Sequence, residues 1–389
     1  MTEATMPQAT ITEEMIASMQ AKAGIELRID HSIYNEDASR IAVLRFVEGI
    51  GEVNPLWADT ELGEASPFGA AVAPPSFVMG CFSGLQFGWP GLGSFHSEST
   101  LRFHRPIYIG DRIKPKCIYQ GFSGPKPSSF ADQIVIDHFH NEYTNQRDEL
   151  VAEIDWSVIN YERGTAIKKG AKSDVAKDLP HVWTEEALVD IEARVLAEAP
   201  RGSSPRYWEG VAEGDELDEL TRGPIGTTDE VAFVSGGGAP IPRLKANGVA
   251  LRDYQKHPAW AFRDPDSSAL EPIYAVHYNK HAAVAMGVPL QYDVGFQRQC
   301  WHINLITHWM GDNGWCKSAS AQYRSFVYHG DVIVMGGKVE KRYIDDDGEH
   351  CVDVSTWARN QRGQNVMPGS GTIVLPSKDT DPIKDRARS

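Results

Sequence analysis

Two stretches of this chain are apolar on nearly every side. Around residues 76–85 stand Phe77, Val78, Met79, Cys81, Phe82 and Leu85, and around 296–310 stand Phe296, Trp301, Ile303, Leu305, Ile306, Trp309 and Met310. A helix without a polar face has nothing to offer solvent, so each stretch predicts a helix enclosed in a core. Alternating, β-branched and aromatic segments follow and predict strands: 101–108, 112–119 and 133–138 after the first, then 321–328, 332–343 and 351–359 after the second. Gly110-Asp111 and Gly330-Asp331 fall between strands, where glycine permits a tight turn and aspartate bonds neighbouring backbone. One buried helix wrapped by an antiparallel sheet, occurring twice, is an α+β arrangement.

The two sets are in register. Trp57 and His277, Asp59 and Asn279, Pro75 and Gly295, and the two Gly-Asp pairs all stand 220 positions apart. Upstream, Phe46-Val47-Glu48-Gly49-Ile50-Gly51 matches Phe233-Val234-Ser235-Gly236-Gly237-Gly238 at a separation of 187, so the second copy holds 33 extra residues between Gly238 and His277. At the end of each copy, Val151 and Trp156 align with Val352 and Trp357 at 201, which gives the first copy a longer hairpin around 121–127. The duplication predicts a domain over 1–161 and a charged, aromatic-poor linker over 162–205 with one helix at 185–198. A second domain is expected over 206–376, with an insertion at 239–271, and a tail over 377–389.

Composition narrows the class without naming a function. A chain of 389 residues suffices for two cores, and 41% hydrophobic with 23% charged residues is ordinary for a globular protein. A formal net charge of −15 argues against a nucleic-acid surface, while leaving room for a small anion held by local basic residues. Five scattered cysteines, Cys81, Cys117, Cys300, Cys316 and Cys351, show neither disulfide nor metal spacing and point to a reducing cytoplasm. The polar first residues carry no signal peptide, and no apolar run is long enough for a bilayer. The expectation is a cytoplasmic protein with no nucleic-acid or membrane partner.

Gly51-Glu52-Val53-Asn54-Pro55-Leu56-Trp57-Ala58-Asp59, followed by Phe68-Gly69 and Val72-Ala73-Pro74-Pro75, resembles a known motif. It is that of the MaoC-like (R)-specific enoyl-CoA hydratases and dehydratases, roughly Gly-Asp-x-Asn-Pro-Leu-His-x-Asp and then Ala-His-Gly at the entrance of the hot-dog helix. The second half carries Val276-His277-Tyr278-Asn279, Met286-Gly287-Val288-Pro289 and Asp293-Val294-Gly295 at the matching places. The first half is similar to the dehydratase-type N-terminal domain of double hot-dog proteins, and the resemblance spans most of the chain outside linker, insertion and tails. It implies a double hot-dog fold, two antiparallel sheets each wrapping a long central helix. It also implies hydration of a 2-enoyl-CoA, or dehydration of a 3-hydroxyacyl-CoA, with coenzyme A as part of the substrate and no metal or redox cofactor.

In that family an Asp and a His hold and activate water, and a backbone N–H at the helix entrance receives the thioester oxygen. Histidine exchanges a proton near neutrality, a carboxylate polarises water, and a helix N-terminus offers free N–H groups with partial positive charge. Carried over, the halves differ. Trp57 cannot relay a proton, Pro75 has no N–H, and Glu52 stands at the aspartate position without its companions. His277 and Gly295 keep both roles, which predicts one productive site in the second half. The aspartate expected five residues before His277 is Pro272. Asp293 and Glu271 are the first candidates to replace it, because they flank fixed landmarks, with Asp264 and Asp266 behind them.

Arg298, and Arg243, Lys245, Arg252, Lys256, His257 and Arg263 of the insertion, are candidates for the phosphates of coenzyme A, a solvated basic loop being the alternative. Asn279 and Trp57 complete the expected substrate contacts, Trp57 as the wall of an acyl tunnel. Gly236-Gly237-Gly238 lacks phosphate-loop spacing and reads as a flexible turn. Two other functions stay open: an acyl-CoA thioesterase, and a non-catalytic acyl-CoA-binding partner subunit of a hydratase. A homodimer or hetero-oligomer fits either.

Overall fold

The computed structural model describes residues 9–28, 35–81, 88–170, 178–238, 244–384 and 386–387. Helices α1 (Glu13–Gln20), α2 (Arg40–Ile50) and α3 (Thr60–Ala65) precede four long strands. These are β1 (Gly93–Phe103), β2 (Lys114–Lys126), β3 (Ile134–Thr144) and β4 (Leu150–Tyr161). Helices α4 (Arg163–Gly170) and α5 (Glu185–Leu196) lead to β5 (Glu216–Arg222), α6 (Thr227–Ser235) and α7 (Asn247–Lys256). A short hairpin, β6 (Ala261–Arg263) and β7 (Leu270–Pro272), is followed by α8 (Lys280–Ala285) and α9 (Gly295–Met310). The chain closes with β8 (Trp315–Gln322), β9 (Ile333–Ile344), β10 (His350–Asn360) and β11 (Gly369–Val374). Among the described residues no helix is long and apolar enough to cross a membrane.

Nine strands form one antiparallel sheet in the order β2-β3-β4-β1-β8-β11-β10-β9-β5, so the halves mirror each other across the β1–β8 seam. Thr100 lies directly opposite Ser320 there, and the Ser320 hydroxyl bonds Thr100 Oγ1 at 2.9 Å. These residues are themselves 220 apart, so the sequence register and the local twofold coincide. Helix α9 packs against this seam with every residue from Phe296 to Met310 buried, as its all-round apolar pattern requires. The first expected helix differs. The chain turns with tighter 3-10 bonding over Pro75–Cys81, and Phe82 and Leu85 lie outside the described residues.

A second symmetric contact explains the 187 register. Helices α2 and α6 cross so closely that a Cβ added to Gly49 would stand 2.7 Å from the Ala232 carbonyl oxygen, and one added to Gly236 would stand 2.6 Å from that of Arg45. Gly236, which read as part of a flexible turn, therefore ends α6 at a backbone-to-backbone contact that tolerates no side chain.

Strand limits differ where proline and turns intervene. The first strand ends at Phe103, ahead of Pro106, and 323–328 lies beyond β8 as a loop in which Tyr328 bridges Tyr292. The alignment of Trp156 with Trp357 does not hold in space. In the sheet, β11 neighbours β8 as β4 neighbours β1, so β10 is the counterpart of β3, not of β4. Thr100 pairs with Asp155 and Ser320 with Ser370, a separation of 215. The first copy's hairpin is still the longer one, by five residues. The same register aligns Asn145-Gln146-Arg147 with Asn360-Gln361-Arg362. Gln146 donates to Asp111 Oδ1 at 2.8 Å and Gln361 to Asp331 Oδ1 at 2.6 Å, while the backbone N–H groups of Tyr108 and Tyr328 reach the other carboxylate oxygens. Each Gly-Asp turn thus pins a neighbouring hairpin turn. The segment between the halves is also packed: the Glu198 side chain is covered and paired with Arg222, and the Trp183 indole donates to the Gly330 carbonyl at 2.7 Å.

Candidate active site

The motif of the first half has become structural. Glu52 Oε1 accepts from the Asn54 N–H at 2.7 Å and from His308 Nε2 at 2.6 Å, and His308 belongs to α9. Trp57 is buried and, with Pro75, Phe68, Phe103, Met310 and Trp315, lines a small apolar pocket with Arg105 at its edge. Trp57 offers no proton-accepting side chain at the motif's histidine position, and Glu52 is tied to the other half.

The second half keeps its histidine in an ordered setting. In the first half the Val72 carbonyl accepts from the backbone N–H of Ala58. At the matching place, the Tyr292 carbonyl accepts from His277 Nδ1 at 2.8 Å. A carbonyl only accepts, so Nδ1 carries the ring proton and Nε2 keeps its lone pair. Tyr274 and Tyr292 flank the ring, with centroids 4.6 and 4.8 Å away, and His329 Nε2 donates to the His277 carbonyl at 2.8 Å. Burial pushes the His277 imidazole down to about 4, against the opposing pull of the Tyr292 carbonyl and the Asp293 charge. His277 is therefore neutral at ordinary pH and remains 9% exposed.

Gly295 is the first residue of α9, and Val294 before it supplies no side-chain cap. Among the described residues the Gly295 N–H has no acceptor, as expected of an open helix end. A Cβ at this position would lie 3.0 Å from His96 Nδ1, so strand β1 of the first half forms one wall of the entrance. His96 Nε2 donates to the Glu98 carbonyl at 3.1 Å, which leaves Nδ1 as a buried acceptor without a partner among the described residues.

The expected acids and cations are placed otherwise than their spacing suggested. Asp293 is 1% exposed, and Arg298 grips both its oxygens, Nε to Oδ2 at 2.7 Å and Nη2 to Oδ1 at 2.5 Å. Arg298 Nη1 donates to the carbonyls of Ser325 and Val366, so this guanidinium is a buried strut rather than a surface phosphate site. Glu271 is half-buried in β7, where burial and the charge of Asp264 raise it; no hydrogen bond joins it to His277 among the described residues. Asn279 caps α8, its Oδ1 accepting from His281 and Ala282 N–H and its Nδ2 donating to Asp264 at 2.7 Å.

Asp264 is held down at about 2 chiefly by that Asn279 bond, and exposed Asp266 pairs with His281. Arg263 is exposed and donates to the Ser268 carbonyl at 2.5 Å within its own hairpin. Lys245 pairs with Asp253, His257 stacks on Trp260, and Arg243 lies outside the described residues.

The sequence reading missed Glu230. This α6 residue is 0% exposed, and its Oε2 accepts from the Val294 N–H at 3.2 Å, directly beside Gly295. Burial, and secondarily the charge of Asp293, raise its carboxyl well above the usual range. Gln297 Nε2 donates to the Asp229 carbonyl at 3.1 Å, which places it at the same spot. A Thr-Thr-Asp-Glu helix start carries no sign that one of its acids will be buried. Elsewhere, Asp345, Glu349 and Cys351 stand close enough for a cation, but Lys317 and Arg386 already face these carboxylates and the thiol is pushed up to about 12.

The model of the FAS1-like dehydratase domain region matches residues 32–154, the half that carries Trp57 at the motif's histidine position. A solved MaoC-like dehydratase superposes with a TM-score of 0.61 at 14% identity, covering 92% of this chain and 100% of the other. A conserved Mycobacterium tuberculosis protein with a double hot-dog fold gives 0.52 at 13% identity, covering 91% and 96%. The chain has a double hot-dog fold. Among curated relatives it is 29% identical over 132 residues to a UPF0336 protein of Parafrankia sp., covering 32% of this chain and 82% of that one. It is 31% identical over 85 residues to a 3-hydroxybutyryl-CoA dehydratase of Methylorubrum extorquens, covering 22% of this chain and about half, 54%, of that enzyme.

Proposed function

We propose that the second-half site adds water to a 2-enoyl-CoA thioester, or removes it from a 3-hydroxyacyl-CoA. One observation carries the reading. His277 Nδ1 is committed to the carbonyl of Tyr292, three residues before Gly295, which opens α9 without a side-chain cap; Nε2 keeps its lone pair. In hydration, Nε2 takes a proton from water as the water oxygen bonds to C3. The displaced π electrons run to the thioester oxygen, which the Gly295 N–H and the positive helix end receive. Dehydration runs the same steps backwards. The relative named 3-hydroxybutyryl-CoA dehydratase supports a thioester of coenzyme A as substrate, and this chemistry calls for no metal or redox cofactor.

A thioesterase needs an ionised carboxylate to activate water. Asp293 is gripped by Arg298 and burial disfavours the ionised form of Glu230, so this arrangement favours hydration. The test is loss of enoyl absorbance when 2-enoyl-CoAs of graded chain length meet the full chain. His277→Ala should reduce the rate about 10²–10⁴-fold. Wild-type hydration by the variant, or release of free coenzyme A without loss of enoyl absorbance, would sink the reading. Tight binding without turnover would make this chain the partner subunit instead.

A further inference from the structure

We propose that Glu230 is the proton-donating acid of this site, standing in for the aspartate that the motif places five residues before His277. The inference rests on the hydratase reading above. Glu230 arrives from α6, and its Oε2 is held by the Val294 N–H, the amide next to the one expected to receive the thioester oxygen. Adjacent residues stand about 3.8 Å apart at Cα. An acid on one amide therefore lies within reach of C2 when the thioester oxygen sits on the next, since C2 is one bond from the carbonyl carbon.

Three buried polar atoms gather here without partners among the described residues: Glu230 Oε1, the Tyr274 hydroxyl and Gln297 Oε1. Each such atom costs about 1–3 kcal/mol in a closed core, so their concentration at one helix entrance points to a ligand that would satisfy them. The charged and titratable groups facing Glu230 are Asp229 on its own helix, Asp293 before α9, Arg298 on α9 and Tyr274 on the turn before His277. Asp293 does not serve as the donor, because both its oxygens are bound by Arg298. Burial raises the Glu230 carboxyl well above the usual range, the direction that favours the proton-bearing form.

The step balances. His277 Nε2 accepts a proton from water as the O–C3 bond forms, and the electron pair of C2=C3 passes into the thioester as an enolate. The enolate collapses, the C2–H bond forms, and the Glu230 O–H bond breaks. The imidazolium proton then returns to the Glu230 carboxylate, and one water has been consumed.

The test compares Glu230→Gln, Glu230→Asp and His277→Ala in the full chain, with a 2-enoyl-CoA that the wild type hydrates. Glu230→Gln keeps an acceptor for the Val294 N–H but has no acidic proton. Its kcat should fall about 10²–10⁴-fold with KM changed less than about threefold, and the alkaline limb of the wild-type pH profile should vanish. Glu230→Asp, which keeps the proton, should recover part of the rate. A Glu230→Gln kcat within about fivefold of wild type, or a loss carried by KM, overturns the assignment. If Glu230→Gln does not fold, a wild-type rate that stays flat to about pH 10 overturns it, and an alkaline fall upholds it. An active His277→Ala sinks the hydratase reading itself. An inactive His277→Ala beside a fully active Glu230→Gln sinks only this proposal.

Discussion

The α2–α6 crossing permits a sharp stability test. Alanine at 49 would put its Cβ 2.7 Å from the Ala232 oxygen and 3.2 Å from the Phe233 Cα; alanine at 236 would meet the Arg45 oxygen at 2.6 Å and the Phe46 Cα at 3.2 Å. Ordinary C···O approach is about 3.3–3.6 Å, so each substitution must drive two backbones apart by roughly 0.6 Å or more. Overpacking of this kind costs about 1–3 kcal/mol. Opposing it, alanine gains about 1 kcal/mol over glycine inside a helix, which applies at Gly49 and less at Gly236, the residue that ends α6.

The expected result is a net loss of up to about 2 kcal/mol for Gly49→Ala and about 1–3 kcal/mol for Gly236→Ala. The double variant should lose less than the sum, because helices already apart need not separate twice. Gly248 in α7 has open space where its Cβ would go, so Gly248→Ala should stabilise by up to about 1 kcal/mol and serves as the control. Urea midpoints at constant slope give the differences. By calorimetry, 2 kcal/mol corresponds to roughly 2–3 °C for a chain of this size. Stabilisation by Gly49→Ala equal to that of the control, or strict additivity of the two single changes, would refute the crossing argument.

Three further outcomes follow from the site. Asp293→Leu leaves Arg298 buried without its counter-charge and should cost about 3–5 kcal/mol in urea unfolding, while Asp293→Leu with Arg298→Met should recover most of it; a single-variant cost below about 1 kcal/mol would contradict the buried pair. Because burial pushes His277 down to about 4, kcat/KM should stay level from neutrality to about pH 5 and fall only near 4. An acid limb near 6.5, the ordinary histidine value, would show that the ring is not desolvated. His277 and His302 are both buried and both lowered to about 4 in the fold, below their unfolded value. Their contribution is complete above about pH 6.5 and disappears as pH falls from there to 4, up to about 3 kcal/mol each. Equal urea midpoints at pH 7.5 and pH 5 would falsify that linkage.

Much of this molecule can be read along the chain. The separation of 220 is legible because both halves fold around the same turns, so Trp57 against His277 and Pro75 against Gly295 compare like with like. The separation of 215 is equally present in Asn145-Gln146-Arg147 and Asn360-Gln361-Arg362. Along the chain the similarity of two tryptophans outweighs that of two Asn-Gln-Arg triplets, and only strand order shows that Trp156 and Trp357 are not counterparts.

The choice of acid belongs to the tertiary structure alone. Glu230 lies 47 residues before His277, beyond the insertion, and comes to the α9 entrance because α6 must cross α2 at Gly236. Asp293, the nearest acid by sequence, is removed from that role by Arg298 five residues on. A charge's availability depends on which partner shares its loss of water, and spacing along a chain does not record desolvation. The sequence by itself determined the duplicated framework and which half carries the histidine; packing decided which carboxyl reaches the α9 entrance and that burial raises it.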